Sequence, residues 1–502
     1  MTLTEIMQTI DGFIWGTPFL AALVGAGILF FLVSKGFVFR HFSHVMKNTL
    51  GTVLKADGRK NENGKVTPWQ AVCVAVGGCV GTANISGVAA AIALGGPGAV
   101  FWMWLWAFFA MTLKFCEATL GSYYRKSDGH GGYVGGSYYY LEEGIGREKK
   151  WKIGFVLAWG FSLGFFAMFL SGSQASVLAE SLHASYNIPM IPFVLVYSLF
   201  MMYIIWKGVP RIANVLSKAV PGMCVLYLIA GLVIIIMNIK IVPSVFAMIF
   251  SNAFTGTAMV GGFAGAGVKT AIQAGVARAV NSNEAGMGTS PMIHAAADTE
   301  HPVRQGMWGI VEVFVDTIIV CSVTALSVLC TGAWTSGSTS MTLALEAFTT
   351  AYGGFGMHFL NLMLCLFGLT TTAAAFAYYD AALRFMLKRC SEKTRETCSF
   401  IFKLLFPLPN IFIVCTMVFS GGDFSLYWAF VDIIIALPVF WNVIGLAIMS
   451  PKFAALLKDY KARYLGVGKV DTNFKIFYET EPNAAAKALN EKIRREQAAA
   501  EK

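Results

Sequence analysis

The chain has 502 residues, 56% of them hydrophobic and only 13% charged, about half the charge of a soluble domain, and its mean hydropathy is +0.62. That balance excludes a string of soluble domains and points to a polytopic membrane protein. The formal net charge of +10 calls for no nucleic acid partner, because the positives cluster between apolar segments, where membrane topology accounts for them.

Met1 to Asp11 carries acids and no Lys or Arg, so no cleavable signal is expected. A first span is predicted over 15–33, followed by a basic loop with Lys35, Arg40, Lys47, Lys55, Arg59, Lys60 and Lys65. The second apolar segment, 67–94, contains Gly77-Gly78-Cys79-Val80-Gly81-Thr82-Ala83-Asn84-Ile85-Ser86-Gly87. Each glycine costs roughly 1 kcal/mol relative to alanine inside a helix, so this crossing is expected to break at membrane depth. Gly95-Gly96-Pro97-Gly98 ends it with a turn. A third span covers 99–124, and a Gly- and Tyr-rich loop 127–152 leads to a fourth over 153–182, with Gln174 deep inside it.

Further spans follow at 188–206 and 220–237, and a second glycine-rich one at 256–280 carries Gly261-Gly262-Phe263-Ala264-Gly265-Ala266-Gly267. Spans at 307–331, 357–386, 399–419 and 424–448 bring the total to about eleven, each near the length a bilayer requires. The ten cysteines lie mostly in apolar segments without paired spacing and read as reduced packing residues. The tail after Pro451 reads as soluble and without a transport role, ending in an exposed Ala/Glu/Lys-rich helix over 484–502.

Positive residues follow the odd-numbered spans: Lys35 to Lys65, Arg125 to Lys152, Lys207 to Lys218, Lys269 to Arg304, Lys388 to Lys403, and Lys452 onward. On the other side Lys240 is the exception, and Ser420 to Asp423 is free of Lys and Arg. The bias places the N-terminus outside and the C-terminus in the cytoplasm. The two glycine-broken spans are five apart and so enter in opposite directions, the pattern of a five-plus-five inverted repeat with a site where the broken helices cross. The expected division is an extra helix and loop in 1–66, repeats in 67–240 and 241–450, and a cytoplasmic tail in 451–502.

Unwinding near Val80 to Ala83 exposes carbonyls, with those of Gly77 and Cys79 beside them, for a cation, and amides for a carboxylate at the next helix N-terminus. Asn84 offers a side-chain oxygen to Na⁺. Thr371 and Thr372, in a run of three threonines, pair with Gly77 and Val80 as a second Na⁺ position; the alternative is a bond back to the preceding turn. Gln174 reads either as interhelical glue or as a substrate ligand. Phe263, with Gly265 beside it, and Phe376 read either as pocket walls or as core. Glu312, Asp316 and Asp432 are intramembrane carboxylates, either functional or scaffold partners. The stretch 281–288 with His294 reads as a cytoplasmic loop or gate rather than a metal site. Patterns for hydrolysis or ATP binding are missing.

The blocks Val80-Gly81-Thr82-Ala83-Asn84-Ile85-Ser86-Gly87-Val88, Gly95-Gly96-Pro97-Gly98-Ala99-Val100-Phe101-Trp102-Met103-Trp104, Gly261-Gly262-Phe263-Ala264-Gly265, Ser282-Asn283-Glu284-Ala285-Gly286-Met287-Gly288 and His301-Pro302-Val303-Arg304-Gln305-Gly306 resemble the alanine or glycine:cation symporters. That family belongs to the amino acid–polyamine–organocation superfamily. The resemblance implies an all-α fold of the leucine-transporter type that moves small neutral amino acids with Na⁺ or sometimes H⁺. It implies Thr82, Ala83 and Asn84 at a substrate and first ion site, Gln174 in the pocket, and Gly77, Val80, Thr371 and Thr372 at a second Na⁺ site. Departures are Ala83 for the usual Gly, Phe376 for Trp, Asp380-Ala381 for Gly-Glu and Ser137-Tyr138 for Pro-Met. The lost ring volume at Phe376 favours a substrate larger than alanine.

The expectation is a monomeric Na⁺-coupled symporter in a bacterial-type inner membrane, without cofactor. Its alternatives are H⁺ coupling, a polar substrate such as serine or glutamine, or an amino-acid-gated channel or sensor. A membrane enzyme would need a nucleophile–base pair, and the sequence offers none.

Overall fold

Lipid provides no hydrogen-bond partner for backbone, so apolar runs of this length wind into helices. A computed structural model of the chain describes residues 3–53, 66–129, 132–419, 425–479, 488 and 490–496. Lys55, Arg59, Lys60 and Lys65 of the basic loop, Ser420 to Asp423 and most of 484–502 lie outside the described residues.

Helix α1 (Thr17–Val33) is followed by the first broken crossing, α2 (Pro68–Cys79) and α3 (Ser86–Gly95), which are bent by 60°. The start of α2 is fixed by a capping box. Thr67 Oγ1 accepts from Gln70 N at 3.1 Å, Gln70 Oε1 accepts from Thr67 N at 3.0 Å, and Pro68 supplies a first-turn residue that needs no partner. After α4 (Gly98–Tyr123) the fourth crossing is itself interrupted, as α5 (Ile153–Ala167) and α6 (Ser173–Tyr186). The interruption is Gly172, at φ +52°, a left-handed backbone that glycine adopts without penalty.

The next helices are α7 (Met190–Ile205), α8 (Val209–Met237), α9 (Val242–Thr255), α10 (Val268–Asn283) and α11 (Ser290–His294). They lead to α12 (Pro302–Cys330), α13 (Ser340–Tyr352), α14 (Gly354–Met386), α15 (Glu392–Leu405), α16 (Leu408–Phe419) and α17 (Ser425–Leu465). Helix α12 winds wide over Phe314–Cys321, a π-helical stretch of the kind that gathers at functional sites. Among the described residues eight helices are long and apolar enough to cross a membrane, and the bent pair α2–α3 makes a ninth. Helix α7 and the pair α10–α11 stand where the fifth and seventh crossings are expected.

The sequence expectation is corrected in three places. The glycine run 256–267 is not the break of the seventh crossing. It is a loop between α9 and α10, closed by the bridges Thr257–Ala266 and Val260–Phe263, and it lies against Gly96 and Thr335. The second break is Glu284–Thr289, between α10 and α11, with Glu284, Gly286 and Gly288 at φ of +54°, +90° and +74°. Lys269 and Arg278, counted with a loop, therefore lie on α10 itself. Finally, the last crossing does not stop near Ile448 but continues helical through Pro451 to Leu465. All ten cysteines are unpaired, six of them buried; Cys390, exposed in the turn between α14 and α15, is outside the packing role.

The two broken crossings lie side by side and antiparallel. Helix α3 packs on α10, and α2 packs on α11. Just before α2, Val66 pairs with Ala297, just after α11. Helix α4 runs along both α10 and α12, and small residues permit the approach. A Cβ on Gly306 of α12 would run into Thr119 Oγ1 of α4 and lie 3.0 Å from the Phe115 carbonyl. Replacing Gly306 with Val is therefore expected to cost about 1–3 kcal/mol by overpacking, read as a lower apparent melting temperature in detergent. Gly222→Ala on α8, where a Cβ meets nothing within 4 Å, should leave that temperature unchanged or slightly raised.

Candidate functional site

Helix α2 ends because Val80 leaves helical geometry and Gly81 is extended, and one short turn, Thr82–Asn84, precedes α3. Side chains from other helices then satisfy the freed backbone. Thr82 N and Thr82 Oγ1 both donate to Gln174 Oε1, at 3.2 and 2.9 Å. Thr371 Oγ1 of α14 donates to the Gly77 carbonyl at 2.9 Å, with the Val80 carbonyl at 3.4 Å. Gly81 has no room for a side chain, since a Cβ would stand 2.7 Å from Thr371 Oγ1 and 3.3 Å from Gln174 Oε1. Ala83 and Gly87 are partly exposed, and a Cβ on Gly87 would meet only the Ala83 Cβ, at 3.7 Å.

Asn84 is fully buried and works in three directions. Its Oδ1 accepts from Gly81 N at 2.8 Å, its carbonyl accepts from Thr324 Oγ1 at 2.9 Å, and its Nδ2 donates to Asp316 Oδ1 at 2.5 Å. Asp316 sits on the π-helical stretch of α12, and its Oδ2 accepts from Ser282 Oγ of α10 at 2.9 Å and from Thr317 Oγ1 at 2.7 Å. One carboxylate thus joins the first break to the helix that leads into the second.

The second break is satisfied in the same way. Lys114 Nζ donates to the Asn283 carbonyl at 2.9 Å, Gly288 N donates to Glu117 Oε1 at 3.1 Å, and Asn442 Nδ2 donates to the Gly286 carbonyl at 2.8 Å. Ser137 Oγ donates to the Gly288 carbonyl at 2.8 Å. Glu312, one helical turn before Asp316, accepts from Ser290 Oγ at 2.6 Å, pairs with His294 and lies 3.8 Å from Lys114 Nζ. Gln305 Nε2 lies 2.7 Å from His294 Nδ1.

The structure brings Gly77, Val80, Gly81, Thr82, Ala83, Gln174 and Thr371 together. It takes others elsewhere. Thr372 turns about 100° from Thr371 on the helix, donates to the Gly368 carbonyl at 2.8 Å and meets Tyr197 OH at 2.7 Å. The Cys79 thiol bonds back to the Ala75 carbonyl at 3.0 Å, which leaves the expectation for its main-chain carbonyl untouched. Phe263 packs on Trp334 at 5.5 Å in the loop that also holds Gly265, and Phe376 is packed against Phe402 and Phe406 at 5.7 and 5.2 Å. The Asp432 carbonyl accepts from Trp15 Nε1 at 3.0 Å. Sequence reasoning missed Lys114 and Glu117. Two charges three apart inside the apolar span 98–123 were the available signal.

The Lys114–Glu312 pair is fully buried. Lys114→Met would leave Glu312 one cation short and release the Asn283 carbonyl, for a loss of about 3–5 kcal/mol. The expected result is a marked fall in the melting temperature of detergent-purified protein. Lys114→Met combined with Glu312→Gln should recover part of that fall.

The sequence matches the profile of the sodium:alanine symporter family over residues 1–473. It is 39% identical to the sodium/alanine symporter AgcS of Methanococcus maripaludis over 332 residues, covering 65% of this chain and 70% of that one. It is 31% identical to the probable sodium/glutamine symporter GlnT of Bacillus subtilis over 460 residues, 91% of each chain. The crystal structure of MhsT in complex with L-phenylalanine superposes with a TM-score of 0.50 at 13% identity, over 77% of this chain and 97% of that one. It shows the shared fold, an all-α transporter of the leucine-transporter type. With its antiparallel broken crossings and a family profile matched over nearly its whole length, this chain belongs to the sodium:alanine symporter family.

Proposed function

We propose that the chain is a secondary active symporter that couples Na⁺ movement into the cell to uptake of a small neutral amino acid, alanine or glycine, by alternating access. The observation that carries the coupling is the convergence of Thr371 Oγ1 on the Gly77 and Val80 carbonyls, at 2.9 and 3.4 Å. Three oxygens from two helices face one point at the break. A Na⁺ there takes the place of the hydroxyl proton as the electropositive partner, and binding it ties α2 to α14. Asp316 with the Ser282 hydroxyl forms the second cation position in this reading, its carboxylate supplying the charge and Asn84 holding it by a donated hydrogen bond. The amino acid occupies the space beside Ala83 and Gly87, its polar groups exchanging with the Thr82–Gln174 hydrogen bonds.

In this reading the repeats are 67–240 and 241–450, with the tail 451–502 in the cytoplasm, the N-terminus outside, and the monomer working without a cofactor in a bacterial-type inner membrane. A larger polar substrate such as glutamine is the second reading. It is favoured by Phe376, whose smaller ring stands where the family resemblance implies Trp and packs against Phe402 and Phe406.

Proteoliposomes test this directly. Labelled alanine is expected to accumulate above its outside concentration under an inward Na⁺ gradient; mere equilibration would mean a channel, and dependence on an imposed H⁺ gradient instead would replace the coupling ion. Competition among glycine, alanine, serine, valine and glutamine ranks the substrates. Thr371→Ala, losing one oxygen ligand of about 1.4 kcal/mol, should raise the Na⁺ concentration for half-maximal uptake about tenfold. Asp316→Asn should abolish accumulation while the purified protein still folds.

A further inference from the structure

Past the end of α1 the chain turns through Lys35 and Gly36, both left-handed at φ +54° and +65°, and folds the short helix Phe37–Arg40 back along the bundle. The fold-back opens a groove of about 570 Å³ lined by Phe31, Leu32, Lys35, Gly36, Phe39, Arg40 and Phe108. Its floor is apolar: Phe39 stacks on Phe108 at 3.8 Å, and Phe31 lies 6.0 Å from Phe39 and 5.5 Å from Phe108. Leu32, 64% exposed, continues it toward the outer face of α1.

The rim is cationic. Lys35 and Arg40 are exposed, and Lys461 reaches in from α17 with its Nζ 3.5 Å from the Ser34 carbonyl. The charged neighbours acting on Lys461 are Lys35 and Arg40, with no carboxylate among them. Burial, then Lys461 and Arg40, hold the His41 imidazole below its ordinary pKa. Among the described residues these positives gather at the rim of a groove floored by phenylalanine rings, and no carboxylate acts on Lys461 there.

We infer that this groove binds an anionic glycerophospholipid, with the phosphodiester between Lys35, Arg40 and Lys461 and an acyl chain along Leu32 and the phenylalanine rings. Charge complementarity selects the headgroup, and basic clusters at membrane-facing helix ends are where such headgroups bind. The apolar floor distinguishes a lipid from a free anion, which gains nothing from it. The inference does not depend on which solute is carried; it needs only that this end of α1 lies at a headgroup layer.

The test uses the full chain in nanodiscs of phosphatidylcholine, alone or with a quarter phosphatidylglycerol, reading melting temperature and, after detergent extraction, co-purified lipid by native mass spectrometry. The wild type should be stabilised by phosphatidylglycerol and retain it. Lys35→Gln with Arg40→Gln should melt like the wild type in pure phosphatidylcholine, lose the stabilisation, and retain phosphatidylglycerol about tenfold less, since each cation near a membrane surface is worth several-fold in binding. Equal retention by variant and wild type would overturn the inference. So would an equal stabilisation by millimolar inorganic phosphate in pure phosphatidylcholine, which would make the groove a simple anion site. If the double variant melts early in phosphatidylcholine, Lys35→Gln alone is read by lipid retention, with the same two outcomes.

Discussion

A helix that comes undone inside a membrane exposes backbone groups that only the protein can satisfy, and each one left bare costs several kcal/mol. That constraint accounts for a set of buried polar side chains around the two breaks. At the first break Gln174, Thr371, Asn84 and Thr324 take up the loose ends of Gly77 through Asn84. At the second, Lys114, Glu117, Ser137 and Asn442 do the same for Asn283 through Gly288. Apart from Asn84, which lies in the first break itself, these residues come from segments distant in sequence, so the breaks draw the bundle together.

Helix α12 is the element common to both breaks. Glu312 serves the segment that follows the second, through Ser290 and His294, while Asp316, one turn on, holds Asn84 of the first and Ser282 of α10. The Lys114–Glu312 pair adds little net stability, because desolvating two ions offsets most of their attraction. What it contributes is geometry: an ammonium that must stay beside both Glu312 and the Asn283 carbonyl holds the end of α10 at one position against α4. Movement of α10 relative to α12 has to break these bonds together or keep them together, which makes the pair a unit rather than two independent helices.

The first break was legible in the sequence because four glycines and polar residues interrupt an otherwise apolar run, and no packing argument asks for all of them at once. The antiparallel pairing of two such crossings was legible from their order. The location of the second was not. Its glycines, Gly286 and Gly288, stand among Asn281, Ser282, Asn283 and Glu284, and α10 before them carries Lys269 and Arg278, so by composition the stretch looks like an aqueous loop. The loop 256–267, richer in glycine and less polar, looked more like membrane. Burial inside the bundle separates the two, and composition does not report it. The same limit applied to the threonines: the run could be read as pointing in several directions, but only the packing of Tyr197 against Thr372 and of α2 against α14 assigns each hydroxyl.

Gly81 shows how closely the parts of the first break are set. Two side chains from different helices, Thr371 and Gln174, approach the same Cα so nearly that even a methyl group would touch both. On the symport reading, one of those side chains belongs to the ion and the other to the solute, so the two sites meet at a single peptide. Filling the ion position alters the carbonyls of Gly77 and Val80, and the amides of Gly81 and Thr82 follow within the next two residues. On that reading coupling needs no relay through the protein: the stretch whose Gly77 and Val80 carbonyls meet Thr371 runs on within two residues to the Thr82 amide that meets Gln174. A side chain at Gly81 would separate them, and the close approach of Thr371 and Gln174 is the reason that none is there.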